Sequence, residues 1–309
     1  MPRVLLLTTP AEDYLQDQVL YGLRSLLGAD CVDFPRKDVM YRACARPAAE
    51  LYGRGFTLWK LLPEIEVERG NLDDPDAAAR AGFELVLFGR VREQRELLRR
   101  WNAARLPRGL RVAFLDGGDT PKVLLPTALR GRYFKRERTA RSAPFTRAVS
   151  FSIPAAKLVA EVPRDKPRRF ATHVQCEEAY ALEAVRRECQ RAYAFADEDA
   201  YRADLQRSHF GITMRKGGWD CMRHYEIAAN GCVPCFHRLA HKSRFGAPFE
   251  LVDGQNCLAF DSAAELERKT REALEGGRYA ALAANALDWA RRYTCERVAA
   301  GILRSASPR

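Results

Sequence analysis

No run of about 18 consecutive apolar residues occurs in the chain, so nothing in it reads as a helix that crosses a bilayer. Its cysteines are an odd number, 9, without regular spacing, which excludes a disulfide framework and predicts reduced, mostly buried thiols. There is no internal repeat, no low-complexity tract, and no zinc-finger or helix-turn-helix pattern. Aromatic residues are not interleaved with the basic ones, which argues against a nucleic-acid partner. The opening "MPRVLLLTTPAEDY" carries charge and turn residues after a short apolar run and suits a buried strand better than a signal peptide. The expectation is a soluble, cytoplasmic protein.

What is present is length and positive charge. At 309 residues the chain exceeds the usual single-domain size and predicts two domains. A formal net charge of +11 points to nucleic acid, anionic membrane surface or phosphorylated ligands, against the plainer reading of an Arg-rich solvated surface.

Strands and helices alternate. "RVLLLT" (3–8) and "FELVLFG" (83–89) are continuous apolar runs of strand length, "CVDF" (31–34) a shorter one, and "LRVAFLDGG" (110–118) another. Between the first two, Leu15, Val19, Leu23 and Leu26 recur at helical spacing up to a stop at Gly28. "SIPAAKLVAEVPRDKPRRF" (152–170), with three prolines, is the expected boundary, giving domains 1–152 and 153–309, with a C-terminal helix that can pack back on the first. In the second half "FATHVQ", "HFGITM", "CVPCF" and "CLAF" read as strands. "CEEAYALEAVRRECQRAYA", "DEDAYRADLQRS", "DCMRHYEIAAN" and "DSAAELERKTREALE" read as helices, the last opened by Ser262 and Glu265 at capping-box spacing. The fold class expected is α/β, with parallel sheets in two Rossmann-like domains facing across a cleft.

Residues 213–241, "TMRKGGWDCMRHYEIAANGCVPCFHRLAH", admit two readings. In one, Gly217 and Gly218 form a turn between a strand and a helix whose first amides and dipole favour an anion, with Arg215 and Lys216 adding charge. Arg223 and Glu226 then share a helical face, offering a guanidinium to a phosphate and a carboxylate to ribose hydroxyls. In the other, Cys232, Cys235, His237 and His241 are a zinc ligand set, although a strand would turn the two cysteines to opposite faces.

The stretch "SHFGITMRKGGWDCMRHYEIAANGCVPCF" (208–236) resembles the donor-binding segment of GT-B glycosyltransferases, particularly the CgeB-like and exostosin-like groups. There a strand, a Gly-containing loop, an Arg-x-x-Glu helix and a Gly-Cys-x-Pro strand follow in this order. His224 and Tyr225 depart from many relatives. The resemblance implies a nucleotide-diphosphate sugar as donor, an unidentified acceptor, and no required metal or cofactor. It places Glu226 on the donor ribose or sugar, and Arg223 with Arg215 or Lys216 on the diphosphate.

Inverting transfer needs a general base at a strand end. The candidates are Asp13, also readable as a helix N-cap, and Asp116 or Asp119 in the turn "DGGD". "GRYFKRER" (131–138) places Lys135, Arg136 and Arg138 before the boundary, to meet the diphosphate from the first domain's side of the cleft, or else forms a solvated basic helix face. His209 reads as structural. Peripheral contact with anionic lipid fits the charge. The alternatives are a non-catalytic nucleotide- or glycan-binding protein of the same fold and a basic nucleic-acid-binding protein.

Overall fold

The computed structural model describes residues 2–306. The chain forms two compact units: residues up to Pro154 with those from Cys295 onward, and Ala155–Thr294.

The first unit is built on six parallel strands, β1 (Val4–Leu7), β2 (Cys31–Phe34), β3 (Leu85–Phe88), β4 (Arg111–Asp116), β5 (Arg132–Lys135) and β6 (Arg147–Ala148), in the order β2-β1-β3-β4-β5-β6. All four residues of β1 and of β3 are buried, as expected of apolar strands covered on both faces. Helices α1 (Tyr14–Leu27), α2 (Pro75–Arg80), α3 (Arg95–Ala103) and α4 (Leu125–Ala128) provide the crossovers. On one face Phe88 meets Trp101 of α3 edge-on at 5.6 Å.

The β1–α1 turn is fixed by a buried polar knot that hydrophobic periodicity does not reveal. Lys37, 1% exposed, points its Nζ at the carbonyls of Thr9 (2.9 Å) and Ala11 and at Asp17 Oδ1 (3.3 Å). Asp17 in turn accepts from Trp59 Nε1 (2.9 Å) and the Asp13 amide (3.0 Å). A buried cation is tolerable only with such partners, and these hold the turn that carries Asp13.

"GRYFKRER" is neither helical nor solvated. Residues 132–135 are β5, and Lys135 is wholly buried with its Nζ 2.9 Å from Asp116. The carboxylate supplied by β4 makes burial of the lysine affordable, so tertiary pairing overrides the local charge pattern.

The second unit has a four-stranded parallel sheet, β7 (Arg168–Phe170), β8 (Ser208–Met214), β9 (Val233–His237) and β10 (Leu258–Phe260), in the order β10-β9-β8-β7. Its helices are α5 (Glu183–Glu188), α6 (Glu198–Gln206), α7 (Met222–Ala229), α8 (Ala263–Glu275) and α9 (Tyr279–Arg292). Helix α10 (Cys295–Ala306) belongs to the first unit and packs on α1. A Cβ on Gly22 would lie 2.1 Å from the Cys295 carbonyl oxygen, so glycine alone permits that approach.

Two elements are shorter than their sequence suggests. The strand over "FATHVQ" stops at Phe170, because the Asp204 carboxylate takes the Thr172 amide (2.8 Å) and hydroxyl (2.7 Å). The long helix over 176–194 is a 3₁₀ turn (Glu178–Ala181) and the short α5, separated by extended Leu182. The Gln190 amide donates to Thr172 (2.8 Å), and Gln190 accepts from the Val174 amide (3.1 Å), pairing that draws the chain out of the helix. At the other end of the unit, the Ser262 hydroxyl accepts from the Glu265 amide at 3.2 Å, capping α8 as its spacing predicts.

Candidate functional site

Carboxyl ends of strands in open parallel sheets are where ligands bind, and β8 delivers residues 215–221 there. A turn closes on itself through the Lys216 amide donating to Gly218 (3.0 Å). Cys221, at the N-cap of α7, provides no side-chain cap, and the dipole at a helix N-terminus favours an anion. His224 clamps the loop. Its Nε2 donates to the Trp219 carbonyl (2.9 Å), which leaves Nδ1 to accept the Thr213 hydroxyl (2.9 Å). Tyr225 donates to Asp220 (2.7 Å) and stacks on Trp289 of α9 at 4.9 Å. The two residues that depart from the GT-B pattern are thus the anchors of the loop.

Helix α7 lies close on β8 because Gly211 has no side chain; a Cβ there would be 2.7 Å from Ile227. Its half-buried face presents Arg223 and Glu226. Glu226 Oε2 accepts from the Tyr201 hydroxyl at 2.8 Å. Burial, with the negative charge of Glu226, raises the Tyr201 pKa well above normal, so this phenol remains a donor. Arg223 Nη1 donates to the His173 carbonyl (2.8 Å).

His173, 4% exposed, places Nδ1 2.8 Å from the Ala192 carbonyl, which assigns the proton to Nδ1. Its Nε2 has no hydrogen-bond partner. Burial, then the charges of Arg223 and Lys216, push its pKa down to about 4. Lys216, Arg223, Glu226, Tyr201 and His173 therefore form one cluster. The last two escape sequence reasoning because they lie 25 and 50 residues from their partners, on elements that show only ordinary helix or strand patterning.

Two depressions adjoin at the ends of β8 and β9, sharing Met214, His237 and Arg238. One, of about 660 Å³, reaches Cys176, Glu177 and Arg191. The other, of about 310 Å³, reaches Arg215, Trp219 and His241.

The zinc reading meets a different geometry. Cys232 and Cys235 are fully buried, and burial raises their pKa values, that of Cys232 to about 12. Among the described residues no group of three or more His, Cys, Asp or Glu is arranged to hold a metal, and all nine cysteines are free. His209 contacts the Arg168 carbonyl (2.9 Å) and the Tyr279 ring (4.6 Å).

In the first unit, Asp13, Asp116 and Asp119 line one depression of about 220 Å³, with Arg90, Arg92 and Glu93. They are not equivalent. Asp116 is 1% exposed and accepts from Arg92 (2.8 and 2.9 Å), Tyr133 (2.6 Å), Lys135 (2.9 Å) and the Gly118 amide (3.1 Å). Burial alone would raise its pKa, but the Arg92 hydrogen bonds and the Lys135 charge hold it below the usual value. That saturated carboxylate organises the rim. Asp119 is half exposed and pairs with Arg136. Arg136 itself is buried, donates to the Gly117 carbonyl (2.9 Å) and lies 4.2 Å from the Phe151 ring centroid, so its cation is engaged within its own unit. Asp13 caps α1 through Oδ1, which accepts from the Gln16 amide (2.8 Å), and turns Oδ2 towards Arg90 (3.2 Å) at 22% exposure.

No family model matches the chain, and no curated protein matches it in sequence. Among solved structures, Anabaena HepE in complex with UDP and glucose aligns over 99% of both chains at 10% identity and a TM-score of 0.59. HepE in complex with UDP-glucose aligns over the same shares, at 10% identity and a TM-score of 0.54. AviGT4, a glycosyltransferase involved in avilamycin A biosynthesis, aligns over 99% of this chain and 97% of its own at 13% identity and a TM-score of 0.51. The fold is GT-B-like. Likeness at such identity reaches the fold and stops there. Among the described residues, no helix is long and apolar enough to cross a membrane.

Proposed function

We propose that the protein is a glycosyltransferase that takes a sugar from a nucleotide-diphosphate donor, without a required metal, and passes it to an acceptor still to be identified. The observation that carries this reading is the cluster at the carboxyl end of β8. An anion-receptive loop and Lys216 lie beside Arg223, one turn of α7 before a carboxylate held by Tyr201. In this reading the diphosphate sits on the loop amides of Gly217 and Gly218 with Lys216 and Arg223, and Glu226 accepts from ribose hydroxyls. UDP bound to HepE makes uridine nucleotides the first to test.

Asp13 is the candidate general base. At 22% exposure it is reachable at the rim, and it holds only the Gln16 amide on Oδ1 and Arg90 at 3.2 Å on Oδ2, against the five donor contacts that saturate the buried Asp116. Binding of the donor raises the melting temperature by mass action. EDTA-treated protein is therefore melted against uridine, guanosine and adenosine diphosphates and their sugars, alongside Glu226→Ala and Arg223→Ala. One nucleotide series stabilising wild type and neither variant supports the reading. A shift retained in both variants removes these residues from the site.

A further inference from the structure

The adjacent cations Arg215 and Lys216 serve different neighbourhoods. Lys216 feels the charges of Arg223 and Glu226. Arg215 instead lies 5.3 Å from the Trp219 ring centroid and, with Met214, Trp219, His237, Arg238 and His241, lines the depression of about 310 Å³. That lining holds two arginines and two histidines and no carboxylate. Four half-buried arginines of the chain are neutralised at contact: Arg69 by Asp33, Arg92 by Asp116, Arg168 by Asp204 and Arg169 by Glu267. Arg215 and Arg238 are exposed at the rim of the depression, and among the described residues neither has such a partner.

A second observation comes from His237. The residue lines the depression beside Arg238, and its buried Nε2 has no hydrogen-bond partner. The nearest acids lie outside this lining: Glu177 pairs with Arg191, Glu178 accepts from the Ala263 amide (3.2 Å) at the start of α8, and Asp261 follows β10.

We propose that this pocket binds the carboxylate of an acidic sugar, carried on the nucleotide donor and distinct from its diphosphate. The planar fork of an arginine matches a carboxylate bidentately, and the volume is enough for a sugar-sized group. The inference rests on the donor-site reading above and narrows its substrate class to nucleotide sugars of the uronic-acid type.

UDP, UDP-glucose and UDP-glucuronic acid are titrated calorimetrically into the wild type and Arg238→Asn, asparagine being tolerant of the left-handed backbone at this position (φ 57). The expected result is that wild type prefers the glucuronic acid conjugate over UDP-glucose about tenfold or more, the scale of one good charged contact. Arg238→Asn should abolish that preference while keeping UDP affinity within about twofold. Equal affinities for the two sugars in wild type overturn the proposal. So does equal weakening of all three ligands in the variant, which would put the diphosphate itself in this pocket. If no nucleotide binds wild type, the donor-site reading fails on its own. Free glucuronate in the same cell then decides the pocket: binding that Arg238→Asn removes supports a carboxylate site, and no binding refutes it.

Discussion

The Tyr201 hydroxyl donates to Glu226 Oε2 across 2.8 Å, joining α6 to α7 beneath the loop at the end of β8. The phenol fixes the carboxylate before any ligand arrives, and preorganised groups bind with less ordering cost. Glu226→Ala is expected to weaken nucleotide binding about 10- to 100-fold, the range of a hydrogen bond to a charged group. Tyr201→Phe should weaken it less and lower stability by about 1 kcal/mol. Calorimetric titration and urea unfolding of both variants check the pair; equal nucleotide affinity in Glu226→Ala and wild type contradicts the assignment.

Asp13 and Asp116 line the same depression but should fail in opposite ways. Removing the Asp116 carboxylate strands Lys135, which is 0% exposed, so Asp116→Ala should cost about 3–5 kcal/mol of stability. Asp13→Asn keeps a good N-cap and should stay within about 0.5 kcal/mol of wild type, while transfer falls by about 100-fold or more if Asp13 is the base. Unfolding curves measured beside a transfer assay separate the two roles. Unchanged transfer in Asp13→Asn removes it from the chemistry.

His173 makes the fold acid-sensitive. Its pKa is about 4 in the folded protein against an ordinary 6.5, so the unfolded chain binds the proton more readily. Stability is then full above pH ~6.5 and falls as pH drops from there towards ~4, a loss from this group of about 2 kcal/mol at pH 5. His173→Asn should lose about 2 kcal/mol less than wild type between pH 7 and pH 5 in urea unfolding. Parallel losses in the two proteins would show that the ring is not held neutral.

Gly211 sets the distance between β8 and α7. A methyl at this position meets three atoms of Ile227 at 2.7–2.8 Å, so Gly211→Ala should cost about 1–3 kcal/mol, as overpacking does. It should also impair nucleotide binding by displacing the helix that carries Arg223 and Glu226. Gly211→Ala combined with Ile227→Ala should recover part of both losses; no recovery would argue that the contact does not set the helix position.

What could be read from the sequence follows from where the stabilising interactions lie. Strands β1, β3, β8 and β9 announce themselves because their residues are almost all buried, so apolar runs report them directly. β5 does not, since Lys135 is buried only through a carboxylate 19 residues away. The stop of α5 at Glu188 goes with bridging between His173 and Gln190, which no local pattern encodes. In the site, Lys216, Arg223 and Glu226 were legible because one strand–loop–helix segment carries all three. Tyr201 and His173 were not, because their part in it exists only after α6 and the β7 exit pack against α7.

A crystal structure with UDP bound tests the central claim most directly. The account predicts the diphosphate within hydrogen-bonding distance of the Gly217 and Gly218 amides and Lys216, and ribose hydroxyls on Glu226 beside Tyr201. Nucleotide density away from residues 215–226, or a bound UDP that leaves Glu226 joined to Tyr201 alone, would contradict it.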